Sequence, residues 1–190
     1  TRVPVGTTFV EGIVPLGQGI QRLKEAILAT LDDEAARTAV GAAFDRREGS
    51  SMLFHNKVVH EIHWGPFAIL VREVADHANA TGQHDYLAMP EIIDDLCEEV
   101  RMAEGLDIRA AFEDRWVPAM VKFYAPCDSD AAQYAVSTAL CYLRECALRG
   151  RPYMGSVWCF DGGNVAVAPE RILDVEWIQE AHSSDGREGG

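Results

Sequence analysis

The stretch MPEIIDDLCEEVRMAEG, residues 89–105, decides how the chain is read. Ile92, Ile93, Leu96, Val100 and Ala103 recur at steps of three and four, so they share one face of a helix that Met89-Pro90 opens and Gly105 closes. Glu91, Asp94, Asp95, Glu98 and Glu99 fill the remaining positions, and the pattern predicts a helix that is apolar inward and acidic outward.

Four more segments keep helical period. Leu16, Ile20, Leu23, Ile27 and Leu31 lie on one face, and Asp33 to Phe44 carries Ala36, Ala39, Val40, Ala43 and Phe44 on one side, so the two predict a helical hairpin. Ser129 to Arg149 has a cap at Asp128 or Ser129, an apolar stripe of Ala132, Val136, Ala139 or Leu140, Leu143 and Ala147, and a stop at Gly150 and Pro152. Ile108 to Phe123 is also periodic, but Pro118 must break it, which leaves AMVKFYA as an alternative strand.

Strand signals are fewer. TTFVEGIV, 7–14, predicts a short strand, and MLFHNKVVHEIHW, 52–64, is rich in β-branched and aromatic residues and predicts a strand or a bent pair. Pro66 suits the first turn of a helix over Phe67 to Asn79. SVWCF and VAVA flank Asp161-Gly162-Gly163-Asn164 and read as a hairpin, since a phosphate loop would open onto a helix instead. Ile172 to Ile178 adds a short closing element. The expectation is one α+β domain over 1–181, several amphipathic helices on a small, mainly antiparallel sheet with a C-terminal hairpin, and a polar, flexible tail at 182–190.

Composition bounds the function. With 48% hydrophobic and 25% charged residues in 190, the chain can build an ordinary core without metal or disulfides. Five cysteines, Cys97, Cys127, Cys141, Cys146 and Cys159, form no Cys-x-x-Cys pair, which argues against a zinc ribbon and suits a reducing compartment; the expected location is the cytoplasm. No apolar run reaches bilayer length, so no membrane role is expected. Net charge is −13, and eight carboxylates face one arginine between Asp85 and Asp107. Nucleic acid would be repelled and a basic protein attracted.

Two functions from different classes follow. In the first, the chain is an acidic binding protein, an antagonist, immunity-like factor or assembly subunit, that engages a basic protein through Glu91, Asp94, Asp95, Glu98 and Glu99 and needs no cofactor. In the second, it is a small hydrolase dependent on one divalent metal ion. On an extended chain Glu61 and His63 share a face, and His77 on the next helix, with Glu73, Asp76 or His84 nearby, would supply the third ligand. Cys127, just before a helix, is a weaker nucleophile candidate, because adjacent Asp128 and Asp130 oppose the helix dipole. Trp116 and Trp158 are expected in the core and Trp177 at a contact surface.

Overall fold

The computed structural model describes residues 1–46 and 50–178. The tail at 182–190, the end of the expected domain at 179–181 and the middle of the loop at 45–51 lie outside the described residues. Helices α1 (Leu16–Thr30), α2 (Glu34–Asp45), α3 (Met52–Val59) and α6 (Glu91–Glu104) enclose the core. Between α3 and α6 run β2 (Phe67–Ile69), α4 (Arg72–Ala75) and α5 (Ala78–Thr81). After α6 come α7 (Ala110–Glu113), β3 (Trp116–Phe123), α8 (Ser129–Arg149), β4 (Cys159–Asp161) and β5 (Ile172–Trp177), while β1 (Arg2–Pro4) begins the chain. The architecture is α+β, with two small antiparallel sheets ordered β1-β3-β5 and β2-β4.

The core follows the helical periods. Ile27 and Leu31 meet Ala36, Ala39, Val40 and Ala43, and Ile93, Leu96 and Val100 of α6 close over them with no exposure to solvent. The Asp128 cap and both closing glycines fall where the sequence puts them. Asp33 accepts a hydrogen bond from Ala35 N at 3.0 Å, Asp128 accepts from Ala131 N at 2.8 Å, and Gly105 and Gly150 end α6 and α8 with φ of 71° and 72°. Trp116 is buried and donates its indole N–H to Thr30 Oγ1 at 2.9 Å, so β3 is stapled to α1.

Three segments fold differently from their local signals. Residues 52–64 are helical, α3 followed by a single 3-10 turn at Glu61–His63, rather than a strand. Phe54 and Val58, one turn apart, reach the core, and Phe54 meets Phe44 edge to face at 5.2 Å; tertiary burial outweighs a β propensity of this size. Phe67 to Asn79 is not one helix, because Phe67–Ile69 pairs with Cys159–Asp161 and leaves only the short turns α4 and α5. The helix after Ile108 stops at Glu113 and Trp116 onward is strand, as Pro118 denies its helix an N–H and pushes the preceding residue to extended geometry.

Residues 7–14 form no named strand, and only Ile13 bridges, to Val167. The chain does reverse at Asp161–Asn164, where Val165 N donates to Gly162 O at 3.1 Å and Gly163 N to Asp161 Oδ1 at 2.9 Å. The limbs of this C-terminal reversal ladder onto β2 and Ile13. Ile172–Trp177 closes the larger sheet against β3, with a bulge at Lys122/Phe123.

Candidate functional site

The carboxylates of α6 are turned to partners within the chain. Glu99 is fully buried and accepts from Ser50 N at 3.0 Å, from Ser51 N, and from Arg46 Nη1 at 2.9 Å. Burial pushes its carboxyl up, but the two amides and the guanidinium outweigh burial and hold it below its usual value. Asp95, also buried, pairs with Lys57, which takes Glu91 as a second partner at 3.0 Å. Burial alone would lower the Lys57 ammonium; Asp95 and Glu91 more than offset that and raise it. Asp94 pairs with Arg109, and Glu98 receives both Nε and Nη2 of Arg101 at 2.8 and 2.6 Å. Each of the five acids expected to face a partner is thus paired within the molecule, with Lys57 shared between Asp95 and Glu91.

Glu61 and His63 lie on the 3-10 turn after α3, and His77 is the residue before α5, with Nδ1 3.0 Å from Glu73 O. Glu73 itself accepts the Tyr142 hydroxyl, Asp76 pairs with Arg72 at 2.7 Å, and His84 Nε2 sits 2.7 Å from Met89 O. Among the described residues no group of three or more His, Cys, Asp or Glu side chains is assembled as a set of metal ligands. Cys127 is exposed, Cys97 is buried in the core where burial pushes its thiol up to about 12, and all five cysteines are free. No described helix is long and apolar enough to cross a membrane.

Two clefts indent the surface. One of about 340 Å³ lies between the α1–α2 turn and residues 107–115, where Asp32, Asp33, Asp107 and Asp114 surround Arg115; Arg115 is bonded to Asp32 and to Thr30 O. The other, of about 400 Å³, lies along α2 near Glu104 and Leu106.

The distinctive surface is on α8. Val136, Leu140, Leu143 and Ala147 fall within an arc of about 60° at 100° per residue, and all four face solvent, the first three at 61%, 62% and 61% exposure. Leu148 flanks them at 70%. The inward side of the helix is instead small and polar. Thr138 and Glu145 are its buried residues, and Glu145 accepts the Ser156 hydroxyl at 2.5 Å, Tyr153 N at 2.7 Å and Gly155 N at 3.3 Å. The Ser156 hydroxyl is the main cause that holds the Glu145 carboxyl low. A Cβ at Gly155 would sit 2.8 Å from Glu145 Oε1, so a larger residue there would make the carboxylate shift. The apolar stripe therefore points outward, since the polar side finds hydrogen-bond partners that the leucines could not supply.

Sequence reasoning found this stripe and its boundaries but not the side it faces. The signal it passed over was the opposite face, where Ala131, Ala135, Thr138, Tyr142 and Glu145 also repeat at helical spacing. Comparison with known protein families, with characterised proteins and with solved structures found no match.

Proposed function

We propose that this chain is a protein-binding module, an assembly subunit or antagonist, whose docking surface is the outward apolar stripe of α8. The observation that carries the reading is the solvent exposure of Val136, Leu140 and Leu143 in one row on a capped 21-residue helix. Isolated exposed leucines are ordinary, but a continuous apolar row rimmed by Gln133, Ser137 and Arg144 has the make-up of an interface. The acids of α6 are engaged by Lys57, Arg46, Arg101 and Arg109 of the same molecule, which supports the apolar stripe over their charge as the docking surface. Net charge of −13 still disfavours nucleic acid as the partner and favours protein.

Replacement of Leu140 by a photo-reactive phenylalanine analogue, with irradiation in the host cell, tests the reading. The expected result is a protein adduct of discrete mass that is absent when the same analogue replaces Arg22 on α1. Failure of position 140 to form any protein adduct overturns the proposal.

A further inference from the structure

We infer that the occupant of the α8 stripe is the α8 stripe of a second copy, laid antiparallel across a two-fold axis; this rests on the docking reading above and names its partner. The argument starts from the edges of the stripe. Asp130, in the first turn of α8, and Arg144, near its end, lie within about 40° of each other around the helix and about 21 Å apart along it. Both are exposed and border the same side of the row formed by Val136, Leu140 and Leu143.

A parallel pair, with its two-fold along the helices, would carry this edge to opposite sides of the seam and leave Asp130 of one copy apart from Arg144 of the other. An antiparallel pair sets Asp130 of each copy toward the Arg144 end of the other, and does so twice by symmetry. It also opposes the two helix dipoles, so the positive amino terminus lies beside the negative carboxyl terminus. The apolar residues agree with this direction. Val136 and Leu143 bracket Leu140 on either side of the helix midpoint, so reversal brings apolar side chains against apolar ones and leaves Gln133 and Ser137 at the rim.

The net charge of −13 on each copy opposes association at long range, but charges farther apart than about 8–10 Å are screened at physiological salt. The α6 carboxylates, the densest cluster in the sequence, are mostly offset within each copy by Lys57, Arg46, Arg101 and Arg109. The local edge of α8 therefore decides the fit. Small residues beside the stripe, Ala132 and Ala139, leave room for two helix axes to approach at about 8–10 Å.

Sedimentation equilibrium of the purified chain tests the inference. The expected mass is twice 20.9 kDa, falling to one copy in the Leu140→Asp, Leu143→Asp variant with its helical circular dichroism retained. Asp130→Arg and Arg144→Asp should each weaken the dimer about three- to tenfold, as reversal of an exposed pair does, and the double variant should restore it. A purified chain that is a monomer at every concentration overturns the second copy as occupant, while a photo-adduct of another mass at position 140 would leave the docking surface itself standing. A dimer indifferent to the Leu140 and Leu143 substitutions, or one that the paired charge reversal fails to restore, overturns it equally.

Discussion

Glu99 shows how a single side chain changes meaning between sequence and fold. In the sequence it is one of the eight acids between Asp85 and Asp107; in the structure it is the acceptor that gathers Ser50 N, Ser51 N and Arg46 at the entry to α3. Glu99→Ala leaves the buried Ser51 amide and the part-buried Ser50 amide without their acceptor and should cost about 2–3 kcal/mol in urea unfolding at neutral pH. Its pH dependence has a definite sign. The folded-state pKa lies below the ordinary 4.5, so the contribution is complete above about 4.5 and is lost as pH falls through the lower folded value. The variant should therefore match the wild type most closely in acid and differ most at neutral pH; a constant difference down to strongly acid pH would contradict this role. The acids were legible as residues, but their cations were not: Arg46 lies 53 positions from Glu99 and Lys57 lies 38 from Asp95, separations over which sequence periodicity carries no pairing information.

Among the elements, those with caps at both ends were the most legible. α6 and α8 begin and end within a residue or two of their signals because a proline or aspartate opens each and a left-handed glycine closes each. The element type of 52–64 was not legible, because α3 is helical only through the burial of Phe54 and the amides held by Glu99. Pro118 marked the break between α7 and β3, and left open whether the segment after it would be helix or strand. The orientation of α8 was hidden for a different reason: periodicity locates an apolar face but does not say what covers it. Glu145 fixes that orientation. Glu145→Ala strips the acceptor from Ser156, Tyr153 and Gly155 and should destabilise by roughly 1–2 kcal/mol. Amide hydrogen exchange at Tyr153 and Gly155 should accelerate while that at Ile93 and Leu96 stays slow. Unchanged exchange at Tyr153 and Gly155 would mean that α8 is held elsewhere.

At the scale of the whole molecule, the helical core of α1, α2, α3 and α6 and the outward row on α8 are separate structures with separate consequences. Leu96, Ile93 and Val100 are fully buried, and truncation at such positions costs about 2–5 kcal/mol. Leu140 and Leu143 are about as apolar, yet on this account they contribute to association and little to the fold of one copy. α+β architecture was legible from the mix of periodic helices and short strand signals, whereas the function depends on which apolar stripe the fold leaves uncovered. The most direct test is equilibrium urea unfolding of Leu140→Asp, Leu143→Asp, at protein concentrations low enough to keep the wild type monomeric, with Leu96→Ala as the core comparison. Stability within about 0.5 kcal/mol of wild type for each leucine replaced, against a loss of several kcal/mol for Leu96→Ala, is the predicted result; a loss at Leu140 and Leu143 as large as that at Leu96 would place the stripe in the core and contradict the account.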